Sequence, residues 1–242
     1  MRIDKFLHQM NIGTRSQITQ LIKKGVVTLN THRVISGKTQ VTPGQDLVKL
    51  GEREVAYQVH YYYLLNKPLG VISASTDRHQ KTVMDLFNKS DYRSDLFPVG
   101  RLDKDTEGLV LITNDGDLAH KLLSPAHHVK KTYEATVTGK LSADTIEEFA
   151  KGITLKDGTQ LQGAALQILN YNKLEDTTEV TIEIQEGKYH QIRRMFGAIG
   201  QRVVHLQRIK MGSLAIDVGL LPGNYRELSQ AEVDDLMALT NA

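Results

Sequence analysis

The sequence predicts a mixed helix-and-strand protein, α/β or α+β, in two parts: a small module over residues 1–59 and a larger domain over 60–242. Three observations predict it. Apolar residues recur at helical spacing in some segments and alternate at strand spacing in others. Hydrophobic residues make up 40% of the 242, so a real core can form. Charge is unevenly shared: residues 1–60 carry nine Lys/Arg against four Asp/Glu, a net of +5, whereas the whole chain is only +2. A second basic cluster lies at 185–211, where six Lys/Arg stand against Glu186 alone. Two separated basic patches on a near-neutral chain point to a polyanion held at defined surfaces. The plain alternative is a pair of solvated charged faces.

The elements of the module follow in order. Ile3, Phe6, Leu7 and Met10 keep the spacing of an amphipathic helix, which Asn11 and Gly13 end. Thr14 stands three residues before Gln17, a capping-box spacing, and Ile18, Leu21 and Ile22 give a second helix its apolar stripe. Gly25 is its stop signal. A short β run from Val26 to Leu29, a turn, Val34, a Pro43-Gly44 turn, and Leu47, Val48 and Leu50 complete the unit. Arg15, Lys23, Lys24, Arg33 and Lys38 are interspersed, and such charges contact phosphates and set position rather than sequence preference. Residues 51–60 read as a linker leading into a strand.

Three stretches of this module, Arg-Ile-Asp-Lys-Phe-Leu at 2–7, Thr-Arg-Ser-Gln at 14–17 and Ile-Lys-Lys-Gly-Val-Val-Thr-Leu-Asn at 22–30, resemble the ribosomal-protein-S4-type RNA-binding domain. That family usually has Asn-Gly at the next turn. Here it reads Asn30-Thr31-His32, which leaves the shape of the loop open.

The larger part opens with a strand-like run, Tyr61 to Leu65, and a turn, Asn66-Lys67-Pro68-Leu69-Gly70. Gly100-Arg101-Leu102-Asp103-Lys104-Asp105-Thr106-Glu107-Gly108-Leu109 leads into a β run ending at Thr113 and an Asn114-Asp115-Gly116 turn. Asp103 therefore sits in a loop before a buried strand, a common seat for a catalytic group, although an Asp in a polar loop is more often a turn former. Lys130-Lys131-Thr132-Tyr133 opens a strand in which Tyr133, Ala135 and Val137 alternate. Further on, Ile192, Met195, Phe196 and Ile199 form one side of a helix, and His190, Arg193, Arg194 and Gly197 lie along another. One apolar and one basic face suit a helix docked on a core with its charges aimed at a partner; a solvated face is the bland reading. Ser229 and Glu232 have capping-box spacing before a closing helix carrying Val233, Leu236, Met237 and Leu239.

Several chemistries are excluded. The chain has no cysteine, so disulfides, thiolate zinc sites and cysteine nucleophiles are impossible. Gly37-Lys38-Thr39 lacks the Gly that a phosphate-binding loop needs at position 32, which is His. No Gly-x-Gly-x-x-Gly or His-Glu-x-x-His occurs, and His127-His128 reads as a surface or turn pair rather than a metal site. No apolar run approaches the ~18 residues that span a bilayer, and the N-terminus lacks the apolar region of a secretory signal. A cytoplasmic protein is expected.

The ordered set Gly-Arg-Leu-Asp-x-Asp-Thr-Glu-Gly-Leu, Lys-Thr-Tyr, and Gly-Lys-Tyr-His-Gln-Ile-Arg-Arg-Met-Phe resembles the RsuA-type family of ribosomal RNA pseudouridine synthases. The resemblance spans nearly the whole chain. Ser124 through Tyr133 and Leu221 through Leu228 look most like the branch that modifies small-subunit (16S) rRNA. The resemblance implies an α+β catalytic domain with a central, mostly antiparallel sheet flanked by helices and a cleft across it. It implies isomerisation of a uridine without a cofactor or metal. Asp103 would be the essential carboxylate, acting either covalently or by abstracting a sugar proton. Arg193 would pair with it and favour its charged form. Tyr133 would stack on the uracil, and Arg101 would replace the extruded uridine in the RNA stack. Arg15, Lys23, Lys24, Lys188, His190 and Arg194 would bind RNA. The missing Cys also removes the uridine C5 methylation chemistry that attacks C6 with a thiolate. The expected partner is rRNA or an assembling small subunit, met by a monomer. The alternatives are a synthase for large-subunit rRNA or tRNA, and a non-catalytic assembly factor.

Overall fold

The structure, a computed structural model, describes residues 1–155 and 157–241. The chain divides into two compact units, one of Met1–His60 with Lys89–Arg93 and one of Tyr61–Asn88 with Ser94–Ala242.

The first unit packs two helices, α1 (Ile3–Gln9) and α2 (Arg15–Lys24), with four short antiparallel strands. These are β1 (Val27–Leu29), β2 (His32–Arg33), β3 (Val48–Leu50) and β4 (Arg53–Glu54), in the order β2-β1-β3-β4. Thr14 and Gln17 form the full capping box at the start of α2, and Gly25 ends it in the left-handed region at φ 72°. Ile3, Phe6, Leu7, Ile18, Ile22, Val27, Val34, Val41, Val48 and Val55 form its core.

Two readings change here. The stretch after residue 50 is not all linker, because Arg53 and Glu54 pair with β3 and Val55 is buried in the core. The Asn30-Thr31 turn takes the shape of an Asn-Gly hairpin turn in spite of its threonine. Leu29 pairs with His32, and both Asn30 (φ 48°) and Thr31 (φ 74°) are left-handed. Asn30 is fastened at its side chain, donating to Asp46 Oδ1 and accepting from Leu47 N–H. Asn11 Nδ2 donates to the carbonyls of Ser90 and Tyr92, which ties the Lys89–Arg93 segment to this unit.

The second unit is built on a nine-stranded sheet. Its strands are β5 (Tyr62–Lys67), β6 (Phe97–Pro98), β7 (Glu107–Thr113), β8 (Lys131–Thr138), β9 (Ala165–Asn172), β10 (Thr177–Ile184), β11 (Val203–Met211), β12 (Leu214–Ala215) and β13 (Tyr225–Glu227). The order is β13-β5-β7-β11-β8-β10-β9, with β6 beside β7 and β12 beside β11. Every pairing is antiparallel except β7 with β11. The helices are α3 (Gly116–Leu123), α4 (Ala143–Lys151), α5 (Gln191–Ala198) and α6 (Gln230–Asn241). This is the α+β architecture expected.

Alternation along the strands makes two cores. Tyr63, Leu65, Val110, Ile112, Tyr133, Ala135, Val137, Val180 and Ile182 face α4 and α5, where Phe149 and Phe196 pack at 4.8 Å between ring centroids. Tyr62, Leu64, Leu109 and Leu111 face the other way, with Leu118 and Leu122 of α3 and Val233 and Leu236 of α6. The central strands β5 and β7 are thus buried on both faces, which explains their continuous apolar runs. None of the described helices is long and apolar enough to cross a membrane.

Candidate active site

The loop before β7 is held by a set of unlike anchors. Ser73 Oγ accepts from Leu102 N–H and donates to Leu102 C=O, both at 3.0 Å. Thr106 N–H donates to Asp103 C=O, and Gly70 N–H donates to Lys104 C=O. Lys67 Nζ donates to Thr106 C=O at 2.7 Å. Main-chain bonds on both sides of Asp103 hold its backbone in place, and its side chain is half-buried. Gly108, at φ 104°, admits β11 beside β7: a Cβ there would stand 2.2 Å from Arg208 O.

The sequence offers Lys67 only as part of a turn, yet its ammonium anchors this loop. It ends β5 and is fully buried. Burial pushes its ammonium down to about 8, against the opposing pull of Glu107, Asp103 and Asp105. The one signal in the sequence was a cation closing an apolar strand run. Its neighbours could not be read there, because they arrive from 36 or more positions later in the chain.

Helix α5 supplies the facing wall. Gln191, buried at its start, accepts from Lys188 N–H and donates to Glu186 Oε1, which braces the preceding loop. His190 adopts a left-handed conformation, φ 48°, just ahead of the helix. Its Nε2 lies 3.5 Å from Asp103 Oδ1.

Asp103, Arg101, Tyr133, Lys188, His190 and Arg193 all line one pocket of about 280 Å³, together with Thr106 and Tyr189. Strand β8 brings Tyr133, the loop brings Arg101 and Asp103, and α5 with its leading loop brings the rest. Tyr133 is 8% exposed and forms part of the wall, whereas Arg101 is exposed at the mouth. Two buried polar atoms among the lining residues, Thr106 Oγ1 and Arg193 Nε, have no hydrogen-bond partner in the protein. Buried polar groups are rarely left so, and at a pocket the missing partner is commonly a ligand.

Two cations stand differently from expectation. Arg193 pairs with Asp105 at 3.0 Å rather than with Asp103, and also donates to the carbonyls of Asp105 and Val203. The loop turns between the two carboxylates, so the more exposed Asp105 reaches the guanidinium. Arg194 is paired with Asp157 and lines a separate shallow depression. The basic side of α5 is therefore partly neutralised by its own domain. Arg15 and Lys23, eight positions apart on α2, are exposed with Lys24 in the first unit. Arg15 lines a groove there with Arg2, Lys5 and His8.

The sequence profile of the family described as RNA pseudouridylate synthase matches residues 61–198, which hold every pocket residue named above. The chain belongs to the RNA pseudouridylate synthase family. The profile of the S4 domain matches residues 1–47 of this pseudouridine synthase. An uncharacterized RNA pseudouridine synthase, YtzG, of Bacillus subtilis is 40% identical over 96% of the chain and 97% of its own length. The ribosomal small subunit pseudouridine synthase A of Vibrio vulnificus is 38% identical over 98% and 99%, and that of Escherichia coli 36% over 96% and 98%. A crystal structure of a pseudouridylate synthase, 36% identical, superposes with a TM-score of 0.67 over 98% of this synthase and 99% of that chain.

Proposed function

We propose that this synthase converts a uridine of small-subunit (16S) ribosomal RNA to pseudouridine, with Asp103 as the reacting carboxylate. The observation that carries the reading is the placement of Asp103. Its loop is held by main-chain bonds, and it lines a pocket of about 280 Å³ that Tyr133 of β8 and Arg193 of α5 also line. The names of full-length relatives supply the small-subunit target.

The reaction breaks the C1′–N1 bond, turns the freed uracil, joins C5 to C1′, and balances the loss of the C5 proton by the gain of one at N1. Atoms and electrons balance without a co-reactant. The uridine must leave its stack, because the glycosidic bond is out of reach in a helix. Arg101 at the mouth is suited to fill the gap, and Tyr133 offers the uracil a ring face. Asp103 in its ionised form acts on the sugar or base, covalently or as a proton acceptor. Arg193 brings a guanidinium to the same pocket, and His190 Nε2 stands 3.5 Å from the Asp103 carboxylate. Phosphates would be met by Lys188 and Arg194 on this domain, each of which would first give up its carboxylate partner, and by the exposed Arg15, Lys23 and Lys24 on the first unit.

The test is Asp103→Asn. A strain lacking the gene is complemented with each version, and pseudouridine is mapped in its RNA by carbodiimide-blocked primer extension. Wild type restores one stop in 16S rRNA and the variant none. Full modification by the variant removes Asp103 from its role, and a stop in large-subunit rRNA or tRNA overturns the target. A purified protein that binds rRNA but releases no tritium from 5-tritiated uridine RNA would be an assembly factor.

A further inference from the structure

Tyr189 stands at the lip of the pocket with 75% of its surface exposed. A ring so placed contributes little to the core. Among the described residues its ring neighbour is His190, at 3.8 Å between centroids and 17° between planes. Among the described residues its hydroxyl makes no hydrogen bond. The ring face, and not the hydroxyl, is therefore what the fold presents.

His190 links this ring to the chemistry. Its left-handed backbone is uncommon for a residue with a side chain, and such conformations persist where the surroundings demand them. The imidazole stacks on Tyr189 and reaches Asp103 with Nε2 at 3.5 Å. A stack of two rings thus runs from the reacting carboxylate out to solvent. Tyr133 is already buried in the wall, so the outer ring is left for something beside the target base. Arg101, exposed at the same pocket, offers charge to the backbone of a strand crossing it. Unpaired RNA bases stack on Tyr and His rings in this manner, with cations tracking the phosphates.

We propose that Tyr189, backed by His190, is the stacking platform for the nucleobase next to the target uridine on the ribosomal RNA strand. The role rests on the uridine isomerase reading given above. It is a positioning role: the platform holds the strand while Asp103 acts.

The test uses the full chain and an in vitro transcript of small-subunit rRNA carrying 5-tritiated uridine. Loss of one base stack raises KM for Tyr189→Ala by at least about fivefold, with kcat little changed. Tyr189→Phe, which keeps the ring, restores KM. The chain has no Trp, so Tyr189→Trp introduces a single indole whose fluorescence is quenched when a base stacks on it. An unchanged KM in Tyr189→Ala, a loss confined to kcat, or turnover by Tyr189→Trp without quenching overturns the platform and leaves the isomerase reading standing. Quenching with no tritium release by wild type overturns the isomerase reading on this RNA, and with it the place beside a target uridine, and leaves Tyr189 as a base-stacking ring alone. Neither signal overturns both.

Discussion

Arg193 holds Asp105: Nη2 of the arginine stands 3.0 Å from Oδ2 of the carboxylate. The Asp105 side chain is 66% exposed, and ion pairs that open to water contribute less than about 1 kcal/mol. Arg193 is also retained by two main-chain carbonyls. Asp105→Asn should therefore lower kcat by less than about fivefold. Arg193→Met should lower it by at least about a hundredfold, as expected when a fixed charge is taken from a sheltered reaction centre. Steady-state tritium release compares the two. Equal losses would mean that the arginine serves Asp105 and not Asp103.

Lys67 makes stability depend on alkaline pH. Burial lowers its ammonium from 10.5 to about 8. Between those values the unfolded chain binds more protons than the folded one, so this group's contribution to stability rises with pH across the window and is flat below it. Lys67→Met removes the dependence. Urea unfolding of both proteins should give a wild-type-minus-variant difference that climbs from pH ~8 to ~10.5. A flat difference would place the ammonium in water.

Glu232 acts in the acid range. Arg226 bonds both of its carboxylate oxygens and also holds Asp217. Chiefly through that guanidinium, the Glu232 carboxyl falls from 4.5 to about 2. A depressed carboxyl stabilises fully above its unfolded value and loses that effect as pH falls through its folded one. Wild type should lose stability relative to Glu232→Gln as pH drops from ~4.5 to ~2, in acid denaturation followed by circular dichroism. Parallel curves would remove this bridge from the anchoring of α6.

Thr31 sits where glycine is at ease. A β-branched residue at φ 74° is strained, and its neighbour Asn30 already supplies the side-chain bonds that hold the turn. Thr31→Gly should raise the stability of the first unit by about 1 kcal/mol, read from the denaturant midpoint. A lower midpoint would show that unfolded-state entropy outweighs the strain.

Sequence alone determined a good deal of this protein. Local rules placed the Thr14–Gln17 capping box, the Gly25 stop, the alternation of Tyr133, Ala135 and Val137, and the apolar side of α5, because each depends only on neighbours a few residues away. The ordered motifs around Asp103, Tyr133 and Arg193 identified the family for the same reason: chemistry leaves its residue types in short fixed runs. Tertiary structure decided the rest. Burial of Lys67, the pairing of Arg193 with Asp105, the engagement of Arg194 by Asp157, and the contact of His190 with Asp103 all join residues far apart in the chain. Charge pairing depends on which side chains reach each other at a few ångströms, and that distance is set by how β5, β7, β8 and α5 pack, not by spacing along the chain.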